Sequence, residues 1–498
     1  MNWKMIAKVN AWILCIEAGL MLPALGISLL YNEPRAVYGY CVTLPVILLV
    51  SGLLFLLSKN AKDGFYQREG FVSTGLCWIL MSLLGCLPFF FSREIPNFAD
   101  CFFEMVSGFT TTGSSILTNV EALDKGLLWW RSFSHWVGGM GVLVFLMAIV
   151  PLGKKSQGFT LHILRAESPG PSVGKMVPHM KNTAMILYGI YFGLTFLDII
   201  FLLCGGLDWF SSCCLAFGTA GTGGFGLLGD SFASYSPYIQ WVTTIFMLLF
   251  SVNFSIYFLL LLGHFKDVRK DEELRLFIAI VLGATTLLVL NVRPLYSSMS
   301  ETIRHCAFTV ATLLSTTGYA TTDFNLWNPF SKAIILFCMF CGACAGSTGG
   351  GIKVIRLLLL GKGLRRNVHE NLHPEEVSVV RVNGKKVDEG VMRNVSAYLT
   401  AYVGIVIVCF LLVSLDGFSV ETNFSAVMAT FNNIGPGLDQ VGPVESFAYY
   451  SNFSKLIFSF AMLAGRLEIY PIIILFSRRT WRKRVSVNHN PSGNKRSR

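Results

Sequence analysis

Ten long apolar segments restrict what this chain can fold into more than any other feature of its sequence. Each has about the length that a helix needs to cross the ~30 Å hydrocarbon core of a bilayer. Backbone in that core can satisfy its hydrogen bonds only within a helix or a closed barrel. Hydrophobic residues make up 53% of the 498 residues and charged residues only 14%, whereas soluble domains carry about 25% charged residues. The sequence therefore predicts an all-α polytopic membrane protein. The ten predicted spans are residues 9–31, 37–57, 71–91, 129–152, 183–204, 239–262, 274–292, 330–360, 396–415 and 456–476.

Four shorter apolar segments lie between paired spans among the last eight, and each begins near a residue that commonly caps helices. These segments are residues 100–109, 208–218, 298–314 and 419–431. Ser298 and Glu301 match a capping box. A helix of ten to fourteen residues reaches only ~15–21 Å, about half of the hydrocarbon core. The sequence therefore predicts four repeats, each of them a span, a re-entrant half-helix, a polar run and a second span, around one pore. An additional pair of spans precedes them.

The polar run that follows each half-helix combines glycine with β-branched or amide residues, which disfavours a continuing helix. Irregular backbone at membrane depth is tolerated where it lines a polar cavity, and in ion selectivity filters its carbonyl oxygens replace the hydration shell of the ion. The half-helices also direct the negative ends of their dipoles toward the cavity, which favours a cation there. The candidate filter residues are Thr111, Thr112, Gly113, Ser114, Ala220, Gly221, Thr222, Gly223, Thr316, Thr317, Gly318, Asn433, Ile434 and Gly435.

The eighth predicted span is interrupted by residues 342–351, here called the glycine segment, in which three glycines follow one another. This composition predicts a mobile intramembrane loop that breaks the span into two half-helices. The alternative is close packing of helices through small residues. As a gate, the loop would obstruct the pore when closed. The candidate gate residues are Gly346, Ser347, Thr348, Gly349, Gly350, Gly351, Lys353 and Arg466.

Arg466 is included because an arginine inside an apolar span indicates a functional position. Glu468 follows it by two residues and would face away from it on a continuous helix. Asp198, in the fifth span, is interpreted instead as a structural partner for another polar group.

Most lysines and arginines fall in six stretches that would share one side of the membrane, at residues 1–10, 58–70, 153–182, 264–275, 353–394 and 478–498. The positive-inside rule places these stretches and both termini in the cytoplasm. Alternating apolar residues from Val377 to Val382, followed by Asn383 and Gly384, predict a β-hairpin in one of the cytoplasmic loops. The predicted organisation is an N-terminal pair of spans at 1–60, pore repeats at 61–152, 153–262, 263–360 and 395–477, a cytoplasmic loop at 361–394 and a basic tail at 478–498.

Three motifs suggest other functions but lack the context that those functions require. His369, Glu370 and His373 form H-E-x-x-H, a zinc metalloprotease motif, yet Pro374 disfavours helical backbone at His373 and the motif is expected in a polar loop. Residues 221–226 match G-x-G-x-x-G without the strand that precedes a dinucleotide site. The cysteines at 338, 341 and 344 lack the fourth ligand of an iron–sulfur run and are interpreted as small buried residues.

Taken together, the polar runs resemble the filter of the Trk/Ktr/HKT superfamily of cation transporters, and within it the TrkH-type membrane subunit of bacterial potassium uptake systems. The residues that carry the resemblance are the segments 109–113, 432–437 and 345–353 and the pair Gly465-Arg466. It extends over the whole chain and includes the additional N-terminal pair of spans.

The resemblance implies a non-enzymatic protein of the bacterial inner membrane that takes up potassium, the only metal ion required, with no cofactor. It implies a homodimer with one pore per protomer and a cytosolic nucleotide-binding (NAD/ATP) regulatory ring of TrkA type. It implies no nucleic-acid partner. It matches the glycine segment to the family's gate, Arg466 to a pore-lining arginine, and Gly113, Gly223, Gly318 and Gly435 to the filter glycines. Gly113, where some sodium-transporting plant relatives have serine, favours potassium.

Two alternatives stay open from the sequence. The first is an intramembrane zinc metalloprotease that uses His369, Glu370 and His373. The second is potassium symport coupled to protons or sodium, which the scarcity of pore-facing carboxylates disfavours.

Overall fold

The computed structural model describes residues 1–60, 66–139, 141, 180–376 and 378–481, and nearly all of its regular structure is helical. The predicted all-α polytopic fold is confirmed. The helices are α1 (Trp3–Leu30), α2 (Pro34–Leu57), α3 (Gln67–Gly85), α4 (Leu87–Phe91), α5 (Phe98–Phe109), α6 (Lys125–Gly139), α7 (Met180–Cys204), α8 (Trp209–Gly221), α9 (Pro237–Ser251), α10 (Phe254–Leu261), α11 (Phe265–Lys270), α12 (Glu272–Val292), α13 (Met299–Ser315), α14 (Pro329–Cys341), α15 (Val354–Leu372), α16 (Glu389–Val413), α17 (Val420–Phe431), α18 (Asn452–Arg466), α19 (Tyr470–Phe476) and α20 (Arg478–Trp481).

Six helical stretches among the described residues are long and apolar enough to cross a membrane, and a bent pair, α9 with α10, would make a seventh. The six are α1, α2, α3 with α4, α7, α12 and α16, and they coincide with predicted spans. The predicted span at 129–152 is described only as far as α6 and residue 141, and the predicted loop at 153–182 lies almost wholly outside the described residues.

The four predicted half-helices are present as α5, α8, α13 and α17, and a polar side chain caps the first turn of each. The caps are Asn97, Asp208, Ser298 and Ser419. Ser298 accepts a hydrogen bond from the backbone N–H of Glu301, but the Glu301 carboxylate accepts from the Ser297 hydroxyl instead of returning to the cap. Only half of the predicted capping box therefore forms.

The prediction of one continuous span at 239–262 is wrong, because α9 and α10 meet at an angle of 91°. Val252 is extended, and the Asn253 side chain caps α10. The glycine segment completes the hydrogen bonding of this break. Cys344 N–H donates to the Ser251 carbonyl at 3.1 Å, and Phe254 N–H donates to the Gly346 carbonyl at 3.0 Å. Backbone groups that each irregular segment leaves unpaired thus form hydrogen bonds with the other segment, as buried backbone requires.

The glycine segment itself breaks the span at 330–360, as predicted, because α14 ends at Cys341 and α15 begins at Val354. The last predicted span, at 456–476, is also broken, which was not expected. Between α18 and α19, Glu468 and Ile469 have positive φ angles of 53° and 72°. The argument that Glu468 faces away from Arg466 on one helix therefore does not apply.

Near the predicted cytoplasmic side, α15 extends to Leu372, so His369 and Glu370 lie on a helix and not in the expected loop. The predicted hairpin is confirmed in a minimal form, with Arg381–Val382 (β1) antiparallel to Lys385–Lys386 (β2). Its turn residues, Asn383 and Gly384, both have positive φ, as a type I′ turn requires. Val377 lies outside the described residues.

Candidate functional site

The four half-helices end in the same backbone conformation. In each repeat a residue with φ between 53° and 60° follows the helix, and the next residue donates its N–H to the carbonyl five positions earlier. This is the long-range bond of a Schellman motif. The left-handed residues are Thr111, Thr222, Thr316 and Asn433. The bonds run from Thr112 to Ser107 (2.9 Å), Gly223 to Gly218 (2.8 Å), Thr317 to Thr312 (2.8 Å) and Ile434 to Ala429 (2.9 Å). A positive φ is unusual for β-branched threonine, so three of the repeats hold a strained residue at the same point.

The glycines that follow these residues define the register of the repeats. Gly113, Gly224, Gly318 and Gly435 have φ angles of 81°, 80°, 90° and 101°, and each stands two positions after its left-handed residue. In the second repeat the glycine at this position is Gly224 and not Gly223, which the resemblance gave as the filter glycine. Because Gly223 and Gly224 are adjacent, the sequence alone does not show which of them occupies this position. Ala220 and Gly221, also in the candidate filter set, belong to the last turn of α8.

Each of the four glycines packs against a carbonyl oxygen of the next repeat, and the fourth packs against the first. A methyl group built on Gly113 would lie 2.0 Å from the Gly223 oxygen, and one on Gly224 would lie 1.8 Å from the Thr317 oxygen. The corresponding distances are 2.0 Å from Gly318 to the Ile434 oxygen and 2.9 Å from Gly435 to the Thr112 oxygen. The carbonyls of residues 112, 223, 317 and 434, here called the carbonyl ring, thus belong to a closed circle of four repeats.

The four glycines also line one cavity, of about 160 Å³. Ser114, Ser115 and Arg131 line it as well. The Ser114 hydroxyl donates to the Gly435 carbonyl at 2.9 Å, so this hydrogen bond joins the first repeat to the fourth beside the cavity. A chamber whose walls come from all four repeats can hold a small ligand at the centre of the bundle.

A buried ion pair that the sequence analysis missed braces the polar runs of the first two repeats. Arg131 on α6 donates from Nε to the Glu104 carboxylate on α5 at 2.6 Å, and both side chains are buried. Glu104 also accepts from the N–H of Ile116 at 2.9 Å, while Arg131 donates to the Gly226 carbonyl at 3.1 Å. The only signal in the sequence was a charged residue within each of two otherwise apolar segments.

The loops that follow the third and fourth polar runs are joined by reciprocal bonds. Asn325 donates from its amide to the Asp439 carbonyl at 3.0 Å and accepts from the Asp439 N–H at 2.9 Å. Hydrogen bonds from the hydroxyls of Thr422 and Ser419 lower the pKa of the Asp439 carboxyl. Asp439 is therefore ionised at neutral pH and fastens its loop to the start of α17.

The glycine segment packs against the third and fourth half-helix ends, one or two residues before the carbonyl ring. A methyl group on Gly349 would lie 2.7 Å from the Ser315 oxygen, and one on Gly350 would lie 2.5 Å from the Asn432 oxygen. The Gly350 N–H also donates to the Thr316 hydroxyl at 2.6 Å. Ser347 closes the turn by donating to the Cys344 carbonyl at 2.6 Å.

Arg466 joins the glycine segment to the end of α6. Its guanidinium donates to the Thr348 carbonyl at 2.8 Å and to the Gly138 and Gly139 carbonyls at 2.5 and 2.6 Å. Lys353 has a φ of 73° and returns its ammonium to the Gly349 carbonyl. Two cationic side chains therefore hold carbonyls of the same short segment.

Two acidic residues bond to the glycine segment or to the start of α15, which follows it. Glu273, at the start of α12, accepts at one oxygen from the N–H of Ala345 at 2.6 Å and of Ile355 at 3.2 Å. Glu468 forms an ion pair with the buried guanidinium of Arg356 on α15, which also donates to the Ile352 carbonyl at 3.0 Å. Glu273 was missed in the sequence, because it follows other acidic residues at a helix N-terminus, where carboxylates are ordinary.

The remaining sequence candidates take other positions. His369 Nε2 lies 2.7 Å from the Glu376 carboxylate, and the Glu370 carboxylate accepts from the Ser378 hydroxyl. Within the described ranges, no three His, Cys, Asp or Glu side chains are grouped to hold a metal ion. The interpretation of Asp198 as a structural partner is wrong, because its carboxylate is buried without a hydrogen bond to any described residue.

Comparison with known proteins agrees with this architecture over nearly the whole chain. The family model described as TrkH, a cation transport protein, matches residues 42–483. The chain is 34% identical over 491 residues to the Trk system potassium uptake protein TrkH of Escherichia coli K12, covering 97% of this chain and 100% of that protein. The chain belongs to the TrkH family. This is a family of transporters and not of enzymes.

Other members of the TrkH family support the same assignment. The Trk system potassium uptake protein TrkG of Escherichia coli K12 is 31% identical over 490 residues, which cover 96% of this chain and 99% of that protein. The crystal structure of the potassium transporter TrkH from Vibrio parahaemolyticus superposes with a TM-score of 0.85 at 31% identity, covering 97% of this chain and 100% of that chain. The whole fold is therefore shared.

Proposed function

We propose that this chain takes up potassium ions through one pore at the centre of its four repeats, with the carbonyl ring as its selectivity filter. Its relatives are named as potassium uptake proteins. The observation that carries the proposal is the closed circle in which each repeat's glycine packs against the next repeat's carbonyl oxygen. Carbonyl oxygens held at one level around a central axis can replace the hydration shell of a dehydrated cation.

The half-helices supply the electrostatic part of this function. Each ends at the polar run with a C-terminus that carries roughly −0.5 charge. Four such ends around one cavity favour a cation there, while the charge of Arg131, which lines the cavity, is balanced by the Glu104 carboxylate. A membrane potential then contributes ~2.3 kcal/mol per charge per 100 mV to inward movement. Gly113, in place of a serine, leaves the Gly223 carbonyl unobstructed and accords with potassium as the ion.

The glycine segment acts as the gate in this proposal. It packs on the half-helix side of the carbonyl ring in the third and fourth repeats, where it would block an ion that had left the filter. Its carbonyls are held by Arg466 and Lys353. Opening requires these bonds, and the bonds to the break between α9 and α10, to be exchanged for others. Movement of α15 is a direct way to cause this exchange, because α15 begins three residues after the end of the segment.

The partners and orientation follow from the resemblance and from charge. We infer that the protein is a homodimer in the bacterial inner membrane, with both termini in the cytoplasm. The regulator is a cytosolic nucleotide-binding ring of TrkA type. The β-hairpin and the two helices beside it share a small apolar cluster that includes Ile355, Val382 and Val395. This cluster gives the basic hairpin a firm support for such a partner. We propose that the four pore repeats comprise residues 61–152, 153–262, 263–360 and 395–477.

Ion flux into liposomes tests the proposed function. Purified protein is reconstituted, and uptake of K⁺, Rb⁺, Na⁺ and Li⁺ is compared under one imposed membrane potential. We expect K⁺ and Rb⁺ to enter faster than Na⁺ and Li⁺. Equal uptake of all four ions, or uptake no greater than that of protein-free liposomes, would contradict a potassium-selective pore.

A further inference from the structure

The second repeat has less side-chain support for its part of the carbonyl ring than the other repeats, because its Thr222 hydroxyl donates to the carbonyl of the preceding residue, Gly221, at 2.6 Å and not to a more distant group. The Thr112 hydroxyl lies 2.8 Å from the Thr110 hydroxyl, and the Thr317 hydroxyl lies 2.6 Å from that of Ser315. In the fourth repeat, the Asn433 amide donates to the Met462 carbonyl at 3.0 Å. Gly223 and Gly224 have no side chain that could form such a bond. Contacts with other parts of the chain must therefore hold their backbone in place.

The imidazole of His135 occupies the place where this support is needed. It lies on α6 and is fully buried. A methyl group built on Gly223 would lie 2.1 Å from the ring's Cγ and 2.5 Å from its Cδ2, so the Gly223 backbone rests directly on the ring. Phe225 packs against the same ring, with 4.1 Å between centroids. Any side chain at 223 would displace either the ring or the backbone.

The ring is fixed in turn by the first repeat. His135 Nδ1 lies 2.8 Å from the Gly108 carbonyl oxygen, near the end of α5. A carbonyl can only accept, so Nδ1 carries the hydrogen. Nε2 has no hydrogen-bond partner among the described residues. The ring is therefore held by one hydrogen bond and by packing between the first and second repeats.

The helices that follow the first and fourth polar runs, α6 and α18, have equivalent positions at which different chemical groups contact a polar run. Gly138 and Gly465 are equivalent, because a methyl group on either would lie 1.8 Å from the carbonyl of the last half-helix residue, Phe109 or Phe431. Three residues before each stand His135 and Met462. Met462 offers a backbone carbonyl to its own repeat's polar run. His135 instead offers a side chain that reaches the neighbouring repeat.

We infer that His135 is a positioning residue for ion selection, which holds the Gly223 carbonyl at its place in the carbonyl ring. The inference rests on the proposed filter. Because Gly223 has no side chain of its own to hold it, loss of the imidazole lets the Gly223 carbonyl move while the other three carbonyls stay fixed. A carbonyl ring in which one oxygen can move coordinates Na⁺ and K⁺ more equally. Selectivity for K⁺ therefore falls although the protein still folds.

The test compares the Rb⁺-to-Na⁺ flux ratio of variants in liposomes, because a ratio does not depend on the amount of protein. His135→Asn keeps a donor at the reach of Nδ1 and removes the ring beneath Gly223. His135→Phe keeps a ring of similar size and removes the donor. His305→Phe is the matched control, since His305 is a buried histidine whose Nδ1 bonds to a side chain outside the polar runs, the Thr321 hydroxyl at 2.8 Å. Gly113→Ser, in the filter itself, is measured beside them.

For His135→Phe we expect a fall of roughly 3- to 10-fold in the ratio, the range that loss of one hydrogen bond predicts. We expect a fall also for His135→Asn, which loses the ring packed against Gly223, and no change for His305→Phe. A ratio that stays at the parental value in both His135 variants, while Gly113→Ser lowers it, would overturn the role of His135 and leave the filter intact. If Gly113→Ser also leaves the ratio unchanged, the proposed filter itself fails. His135→Phe still fills the buried site with an aromatic ring, so selectivity can be measured even if His135→Asn does not fold.

Discussion

The side-chain amide of Asn433 donates a hydrogen bond to the hydroxyl of Thr112, 2.9 Å away, and so joins the last repeat to the first. The same amide donates to the Met462 carbonyl on α18. Asparagine also tolerates the left-handed conformation that this position requires. One side chain therefore holds the fourth polar run in its conformation, attaches it to α18 and closes the circle of repeats.

Replacing Asn433 by alanine removes both hydrogen bonds and places a less tolerant residue at a φ of 55°. We expect a loss of about 1–3 kcal/mol in the free energy of unfolding, since each bond contributes roughly 0.5–1.5 kcal/mol, together with a lower Rb⁺-to-Na⁺ flux ratio. Thermal unfolding of the purified protein and liposome flux measure the two effects. Asn371→Ala, in the last turn of α15, is the control. Unchanged unfolding and an unchanged ratio would show that the first and fourth repeats are held together by other contacts.

Arg466→Ala is expected to raise Rb⁺ flux at matched protein content. The substitution removes a positive charge from the proposed ion path and releases the Thr348 carbonyl of the gate. Arg466→Lys separates the two causes, because lysine keeps the charge but cannot reproduce the planar fork that contacts three carbonyls. We expect its flux to lie between those of the parent and the alanine variant. Flux that falls in step with thermal stability would instead identify Arg466 as a structural brace.

Glu273 offers a test of the gate from its other side. One carboxylate oxygen accepts the N–H groups of both Ala345 and Ile355, and hydrogen bonds to a charged group contribute about 1.5–3 kcal/mol. If these bonds favour the closed loop, Glu273→Ala should increase flux by roughly tenfold or more, and Glu273→Gln, which keeps a neutral acceptor, by less. The Rb⁺-to-Na⁺ ratio should not change.

A selectivity change in Glu273→Ala would contradict a role confined to gating. Flux equal to the parent's in both variants, with the protein folded, would show that these bonds do not restrain the segment.

Deleting residues 345–349 should also increase flux while leaving selectivity intact, because the carbonyl ring lies elsewhere in the chain. The deletion removes the Gly346 and Thr348 contacts to the break between α9 and α10, so thermal unfolding is measured in parallel. The increase should be largest without a cytosolic partner. Flux at or below the parental level, from a folded and dimeric protein, would mean that the segment is packing and not a gate.

Six of the predicted spans and the four half-helices could be predicted from the sequence, since both depend on local apolarity and on caps such as Asp208 and Ser419. The breaks at Val252 and Glu468 were not predictable in the same way. Their compositions are ordinary, and their stability comes from contacts with the glycine segment and with Arg356, about a hundred residues away.

The candidate site was predicted unevenly for a related reason. The residue types of a filter and of a bendable segment are local and were recognisable. The exact glycine of the second repeat was not, because Gly223 and Gly224 differ only in their backbone angles. His135 and Glu273 act on backbone groups far away in the sequence, and no local pattern marks such partners.

A substitution at each ring glycine tests most directly whether the four repeats close one ring of carbonyls. We propose to measure the Rb⁺-to-Na⁺ flux ratio in liposomes for Gly113→Ser and for Gly224→Ala, Gly318→Ala and Gly435→Ala. Gly404→Ala, on α16 and away from the cavity, is the control, since nothing lies within 4 Å of a methyl group there. Each ring glycine has a positive φ, which side chains oppose, and each contacts the next repeat's carbonyl. All four variants should therefore lose selectivity while the control keeps it. A parental ratio in any one of the four, from a folded protein, would contradict a ring to which every repeat contributes.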